Sequence, residues 1–192
     1  MTSSQDSRIS HAVSVGVGRH FIRLGILPSC GQFYPMELDF QKSSYLCGPV
    51  GTGKTWGLAA MCCDALAAGY TARLVNWQWF QLEVRDTYKA AGKETEMDVL
   101  KRYAGVQVLC LDDLGAGKEV AGRESEAARV LCYTLLDKRY ANGVITHISS
   151  NDPLEVLTKK YDARIGRRIT ELCRGPSGKV NVLVLKDVVI SQ

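Results

Sequence analysis

The sequence lacks every feature that would direct the chain to a membrane or to an oxidising compartment. It has no apolar run long enough to cross a bilayer, and its first residues lack the basic and apolar stretches of a secretory signal. Its seven cysteines form no Cys-x-x-Cys pair, and its three histidines show no metal-ligand spacing. We therefore expect a cytoplasmic protein with reduced cysteines, no zinc site and no membrane partner.

The chain also lacks a strong excess of charge of either sign. Lysine and arginine number 24 against 20 aspartate and glutamate residues, so the formal net charge is +4. A protein dedicated to nucleic-acid binding usually carries a larger or more clustered basic excess. Any affinity of the monomer for DNA should therefore be weak and sensitive to salt.

What is present is the composition and the pattern of one α/β domain. The chain has 192 residues, of which 46% are hydrophobic and 23% are charged. Short apolar runs predict strands over 44–47, 71–76, 106–111, 144–149 and 179–185. Helical spacing predicts helices over 55–68, 77–90, 97–103 and 124–140, and a further one after residue 152. This alternation predicts a parallel five-stranded sheet with helices on both faces.

Turn signals and helix signals refine this division of the chain. The polar start and the turns that follow predict an N-terminal tail and lead-in segment over residues 1–40, and one core domain over 41–192. Asp152 before Pro153 predicts a helix N-cap. In the long helix, Val130 is placed beside Leu131 on the inner side.

The segment that follows the first predicted strand carries a phosphate-binding pattern. It matches G-x-x-x-x-G-K-[ST] in full, between a strand and a helix. Glycines in this pattern let backbone N–H groups converge on phosphate oxygens, and the start of the next helix favours an anion. Lys54 supplies a charge to the phosphates, and the Thr55 hydroxyl is a ligand for Mg²⁺. The predicted ATP-binding residues are Gly48, Pro49, Val50, Gly51, Thr52, Gly53, Lys54, Thr55 and Trp56.

Two carboxylates follow the apolar strand at 106–111. In a parallel sheet the carboxyl end of this strand lies beside the phosphate loop, so Asp112 and Asp113 should face the same ligand. Asp112 is the expected second ligand of Mg²⁺, and Asp113 is expected to orient or deprotonate the attacking water. The sequence therefore predicts a P-loop NTP hydrolase with ATP and Mg²⁺ as cofactors.

Further motifs give the chain a resemblance to a known family. They read LDDLG at 111–115, LDKRY at 136–140, SSN at 149–151 and YDARIGRR at 161–168. Their order resembles that of the DnaC-type helicase loaders and the IstB-type transposition ATPases, which belong to the AAA+ group. The letters GILP at 25–28 are similar to a short segment that precedes the core in many phage members. The resemblance covers about residues 25–185.

The resemblance implies a fold, a function and further site residues. It implies the AAA+ αβα core without a C-terminal lid domain, and an ATPase that acts on DNA as a helicase loader or replication accessory or, alternatively, as an IstB-like transposition accessory. By its position in the motifs, Asn151 would be the sensor near the γ-phosphate, and Arg164 would be an arginine finger for a neighbouring subunit. A head-to-tail homo-oligomer and a replicative helicase or a transposase are the implied protein partners. Most AAA+ proteins have Glu where this chain has the shorter Asp113, so slow hydrolysis is expected.

Single-stranded DNA is the expected nucleic-acid partner, bound weakly and in an ATP-dependent manner. The candidate contacts lie on the two helices before Asp112, and they are Lys89, Lys93, Lys101 and Arg102. The same region holds three aromatic side chains, Trp77, Trp79 and Phe80, which could stack on bases. Packing of these aromatics against the sheet is the favoured interpretation.

Other interpretations of these motifs remain open at the level of the sequence. Arg164 with Arg167 and Arg168 could be the phosphate-side arginines of a small-molecule kinase, or could form only a solvated basic face. Asn151 could serve only in a helix-capping turn. A third function, an ATP-binding switch that reshapes a partner without hydrolysis, is equally compatible with the phosphate loop.

Overall fold

The computed structural model describes residues 38–89, 94–117 and 123–185. Its strands are β1 (Ser44–Cys47), β2 (Ala72–Asn76), β3 (Val108–Asp112), β4 (Ile145–Ser150) and β5 (Val182–Val184). They form one five-stranded sheet in the order β2-β3-β4-β1-β5, and every neighbouring pair is parallel. The predicted parallel sheet is therefore confirmed. The GILP motif and most of the predicted segment 1–40 lie outside the described residues.

Helices in the described ranges follow the predicted order. They are α1 (Lys54–Ala67), α2 (Trp77–Thr87), α3 (Glu96–Ala104), α4 (Glu126–Ala141), α5 (Leu154–Lys160) and α6 (Ala163–Leu172). α1 ends before Gly69, whose φ of 85° is the left-handed conformation that commonly closes a helix. None of these helices combines the length and the apolarity needed to span a membrane.

Two apolar layers enclose the sheet. Side chains that alternate along the strands contribute to both layers. Leu46 of β1 and Cys110 of β3 face the layer that contains α1. Tyr45 and Leu111, which are next to them in sequence, face the layer that contains α2 to α6. Because successive residues of a strand point to opposite faces, each buried strand stabilises both layers. The result is an αβα sandwich whose strand ends are free to carry a site.

Buried Arg139 joins the amino ends of two central strands. Its guanidinium donates to the backbone carbonyls of Tyr103 at 2.8 Å and Val106 at 2.9 Å, and to the Thr146 hydroxyl at 2.8 Å. It also donates to the carbonyl of Ile145. Burial lowers the pKa of Arg139 to about 9. These bonds fix β3 and β4 relative to each other, and the opposite ends of both strands hold the candidate site.

Some local predictions were wrong for reasons of helix geometry. Pro153, not Asp152, occupies the N-cap position of α5, and no side chain caps this helix. The Asp152 carboxylate instead pairs with Lys160 Nζ at 2.8 Å. Val130 is 57% exposed, because one residue of a helix turns by about 100° and the inner face is already set by Leu131. The last strand is also shorter than the predicted range 179–185, because β5 has only three residues and a turn precedes it.

The aromatic residues of α2 divide between the core and the surface. Trp77 and Phe80 are fully buried, as the packing interpretation predicts, with their ring centroids 5.6 Å apart. Trp79 is 70% exposed, so the packing interpretation is wrong for this residue. Spacings of three and four residues place Trp77, Phe80 and Val84 on one face of the helix, and Trp79 lies outside that face.

Candidate nucleotide-binding site

The phosphate loop connects β1 to α1 through backbone conformations that favour glycine. The φ angles are 155° at Gly48, 88° at Gly51 and 85° at Gly53, and Gly53 is the N-cap residue of α1. A Cβ atom on Gly48 would overlap the carbonyl oxygen of Leu185. Glycine is therefore required at position 48 both by its φ angle and by the close approach of the chain that follows β5.

Lys54 lies inside the loop that precedes it. Its Nζ donates to the carbonyls of Gly48 at 2.7 Å and Pro49 at 2.6 Å, and the residue is only 7% exposed. Desolvation lowers the pKa of Lys54, while the charges of Asp113 and Asp112 act in the opposite direction. A phosphate oxygen would be a better acceptor than either carbonyl, because a hydrogen bond between charged groups is stronger.

Thr55 and Asp112 bring together the oxygen atoms that a magnesium ion needs. The Thr55 hydroxyl donates to both oxygens of the Asp112 carboxylate, at 3.2 and 3.0 Å. The described residues contain no group of three or more His, Cys, Asp or Glu side chains that could cage a metal. Mg²⁺ usually binds through one or two carboxylates together with phosphate oxygens and water. This donor set therefore fits Mg²⁺ held jointly by the protein and a nucleotide.

Asp113 has an unusual backbone and a perturbed carboxyl group. Its φ of 60° is the one positive value at a non-glycine residue within the described ranges. Desolvation raises the pKa of Asp113, the neighbouring Asp112 raises it further, and Lys54 lowers it. Asn151 Nδ2 donates to Asp113 Oδ1 at 3.4 Å. A strained, half-buried carboxylate at the mouth of a cleft is typical of a functional group.

These side chains line one open cavity of about 420 Å³, a volume within the usual range for ligand sites. The lining residues are Val50, Gly51, Gly53, Lys54, Thr55, Trp56, Asp112, Asp113 and Asn151. The other predicted loop residues do not line the cavity but hold the lining residues through hydrogen bonds. Gly48 and Pro49 accept the Lys54 hydrogen bonds, and the buried Thr52 hydroxyl donates to the Pro49 carbonyl at 2.9 Å.

Of the three residues predicted to take part in catalysis, Asp113, Asn151 and Arg164, only Arg164 does not line this cavity. Its side chain is 71% exposed at the start of α6. The guanidinium lies 5.2 Å from the ring centroid of Tyr133 and 3.2 Å from Asp162 Oδ2. Arg168, one turn later, is 18% exposed and pairs with Asp137 and Glu171. Of these two arginines, Arg164 has the side chain that is accessible to another molecule.

Ser149 contacts the site, and its neighbour Ser150 lies beside it; the sequence did not reveal the individual role of either serine. The Ser149 hydroxyl donates to Asp112 Oδ1 at 2.5 Å and accepts the Asp113 N–H at 2.9 Å. The Ser150 hydroxyl donates to the Leu114 carbonyl at 2.6 Å. The SSN letters at 149–151 marked the place, but only the neighbouring strand shows what the serines bind.

Comparison with known proteins agrees with this geometry. A family model described as "IstB-like ATP binding protein" matches residues 38–169. The chain belongs to this family. The match begins just before β1 and continues into α6, so it includes the phosphate loop, both carboxylates, Asn151 and Arg164.

A curated relative and two solved structures extend the comparison. "Replicative helicase loader DnaC" of Escherichia coli (strain K12) is 26% identical over 137 residues, which are 71% of this chain and 54% of that protein. A crystal structure of the DnaC helicase loader has a TM-score of 0.62 and 20% identity, covering 97% of this chain and 92% of that one. The replication initiator DnaA bound to AMPPCP and single-stranded DNA has a TM-score of 0.60 and 18% identity, covering 76% and 41%.

These comparisons establish the family and the fold. The IstB-like chain has the AAA+ αβα core and the ATP-binding loop of its family. Its match spans about half the length of the curated relative. The described residues end at position 185, directly after β5, so the expected absence of a lid domain stays a prediction.

Proposed function

We propose that this chain is an ATP-hydrolysing AAA+ protein that acts in DNA replication as a DnaC-like helicase loader. The observation that carries this proposal is the meeting of Lys54, Thr55, Asp112, Asp113 and Asn151 around one cavity. These groups come from the loop after β1 and from the ends of β3 and β4. They supply a positive charge for phosphate, oxygen ligands for a metal ion, a carboxylate base and an amide.

Binding of ATP would rest on the loop and on Lys54. The N-terminus of α1 and the loop N–H groups favour phosphate, and Lys54 would exchange its two carbonyl acceptors for phosphate oxygens. Thr55 and Asp112 would hold Mg²⁺, which neutralises charge on the phosphates when it is bound. No change of fold is needed for these steps, because the donors already converge on the cavity.

Hydrolysis would depend on Asp113 and Asn151. The Asp113 carboxylate accepts a proton from the attacking water, and its raised pKa brings it closer to the operating pH. Asn151, whose amide now donates to Asp113, is near enough to hold the same water. Attack of this water on the γ-phosphorus breaks the bond to the β-phosphate oxygen and releases ADP and phosphate.

The position of Arg164 favours a site that two subunits share. Its side chain is exposed and does not line the cavity of its own chain, so it would stabilise the transition state in a neighbour. A contact between a cavity on one copy and an arginine on another is head-to-tail, and it builds a ring or an open helix. We therefore propose an ATP-dependent homo-oligomer.

The name of a curated relative supports the choice of protein partner. The name of the matched relative describes a replicative helicase loader, and this favours a replicative helicase over a transposase. The small-molecule kinase alternative loses support, because the family match covers the region of the three arginines that suggested it. We propose a cytoplasmic location and keep the division into a lead-in segment over 1–40 and a core over 41–192.

Single-stranded DNA would bind on the side of α2 and α3. Lys89 and Lys101 are exposed there, whereas Arg102 pairs with Glu83 at 3.1 Å and Glu94 at 2.6 Å. Lys93 lies outside the described residues. The two accessible candidate lysines of the described ranges would form a weak site in each subunit, and assembly on ATP would place several such sites along one strand.

Two substitutions in the cavity test the proposed activity. Lys54→Ala should weaken ATP binding strongly, because it removes the main phosphate charge from a partly desolvated site. Asp113→Asn should bind ATP like the wild type and lose about 100-fold or more in turnover, since a neutral amide cannot accept the proton. Fluorescent-nucleotide binding and phosphate release, each measured with and without single-stranded DNA, separate these effects.

Asp64→Asn also removes one carboxylate, on α1 at a residue that does not line the cavity, and it should leave turnover unchanged. Unchanged hydrolysis in Asp113→Asn would move the base elsewhere. Wild-type protein that binds ATP but shows no turnover under any condition would favour the non-hydrolysing switch.

A further inference from the structure

Ser149 makes three contacts with the segment that carries both catalytic carboxylates. Its hydroxyl donates to Asp112 Oδ1 and accepts the N–H of Asp113, and its carbonyl accepts the N–H of Leu114 at 2.8 Å. The residue is fully buried near the end of β4, between the neighbouring strands β1 and β3. No other side chain contacts both Asp112 and the Asp113 backbone among the hydrogen bonds of the described residues.

The direction of these hydrogen bonds is fixed by the number of protons. A serine hydroxyl has one proton to donate, and an ionised carboxylate can only accept. The order is therefore Asp113 N–H to Ser149 Oγ, and Ser149 O–H to Asp112 Oδ1. One oxygen atom thus joins the carboxylate that faces the metal site to the backbone of the residue that faces the water.

The backbone of Asp113 needs such a constraint. A φ of 60° is unfavourable for a non-glycine residue in an unconstrained chain. The Ser149 hydroxyl and carbonyl bind the consecutive N–H groups of Asp113 and Leu114, which holds the turn in this conformation. Thr55 donates to the same Asp112 carboxylate from the other side, so both neighbours orient it.

We propose that Ser149 is a positioning residue that sets the Asp112 carboxylate for Mg²⁺ and the Asp113 carboxylate for water with a single hydroxyl group. This inference rests on the proposed ATPase function and extends it to a residue that touches neither nucleotide nor water. Loss of the hydroxyl should weaken Mg²⁺-dependent nucleotide binding and turnover together, by about 10- to 100-fold, as for other groups that orient metal ligands.

The test compares two neighbouring buried serines. Ser149→Ala should raise the Mg²⁺ concentration at which a fluorescent ADP analogue is half bound, with nucleotide affinity in EDTA unchanged. Ser149→Thr, which keeps a hydroxyl, should restore most of the Mg²⁺ dependence. Ser150→Ala is the matched control, because Ser150 is equally buried but binds the Leu114 carbonyl instead of a carboxylate. It should shift thermal stability without shifting the Mg²⁺ titration.

The possible outcomes are distinct from those of the activity test. A Ser149→Ala titration that coincides with wild type overturns the proposal, and so does an equal shift in Ser150→Ala. If Ser149→Thr does not fold, Ser149→Cys, with its weaker S–H donor, should give a Mg²⁺ shift between those of serine and alanine. Because binding of an ADP analogue needs no hydrolysis, this result can be read even if the wild type proves to have no turnover.

Discussion

The cavity and the arginine face differ in how much of the reaction each can perform alone. The cavity, lined by Lys54, Thr55 and the residues at the strand ends, is assembled by the sheet within one chain. The arginine face, formed by α4 and α6, presents Arg164 to solvent and lies outside the cavity lining. Under the proposed function, binding would therefore be complete in a single subunit, and the charge that speeds hydrolysis would come from another.

The two regions also differ in the interactions that stabilise each of them. In the cavity, backbone geometry dominates, with positive φ angles at Gly48, Gly51 and Asp113. On the arginine face, side-chain pairs dominate, with Arg168 stacked 4.2 Å from the ring centroid of Tyr140 and paired with two carboxylates. Backbone strain makes the first region intolerant of substitution, whereas partly exposed ion pairs contribute little individually.

The largest effect is expected from Gly48→Ala, which breaks the cavity while leaving the arginine face intact. The added Cβ would overlap the Leu185 carbonyl oxygen, so the loop or the chain after β5 must move. We expect a loss of about 3 kcal/mol in the free energy of unfolding and loss of ATP binding. Urea unfolding and nucleotide titration measure the two effects.

Gly143→Ala is the matched control for this substitution. Gly143 also has a positive φ, 63°, but a Cβ there meets no atom within 4 Å, and the residue is remote from the phosphate loop. It should cost about 1 kcal/mol and leave ATP binding unchanged. Equal losses in both variants would mean that the φ angle, and not the close approach to Leu185, decides the cost.

A smaller effect is expected from a pair of substitutions on the arginine face. Arg168→Met should lower the free energy of unfolding by about 1–2 kcal/mol, because it removes two ion pairs and a ring contact from a mostly buried side chain. Arg164→Met should change it by less than about 0.5 kcal/mol, since the guanidinium is largely exposed and makes one ion pair, with Asp162, among the described residues. Urea unfolding of the two variants at one pH checks the difference, and a larger loss in Arg164→Met would contradict it.

The sequence predicted the cavity better than the arginine face. Glycine spacing and a strand that ends in carboxylates are local signals, so the residue pattern alone was enough to place Lys54, Asp112 and Asp113 together. The sheet and its parallel strands followed from periodicity. The resemblance to AAA+ proteins supplied Asn151, which lies beside Asp113.

What could not be predicted depends on contacts between distant residues. Ser149 meets Asp112 only because β4 lies beside β3, and a sequence motif does not show this pairing. The different burial of Arg164 and Arg168 depends on Asp137 and Tyr140 of α4. Trp79 was misplaced because three nearby aromatics looked equally suited to the core, and only the start of α2 decides which two are buried.

The central claim is that a complete site needs two subunits, and a mixing experiment tests it most directly. Arg164→Ala subunits keep the phosphate loop, and Lys54→Ala subunits keep the arginine. In a random equal mixture about one junction in four joins an intact loop to an intact arginine, as a head-to-tail contact allows. Arg167→Ala, which removes a similarly exposed arginine one turn along α6, is the control and should remain active alone.

The measurement is phosphate release per subunit, for each variant alone and for the mixture, over a range of protein concentrations. We predict that each parent is nearly inactive, that the mixture recovers up to about a quarter of wild-type turnover, and that wild-type turnover rises with concentration. A mixture as inactive as its parents, together with wild-type turnover that is independent of concentration, would contradict a shared site. In that case Arg164 would act within its own chain.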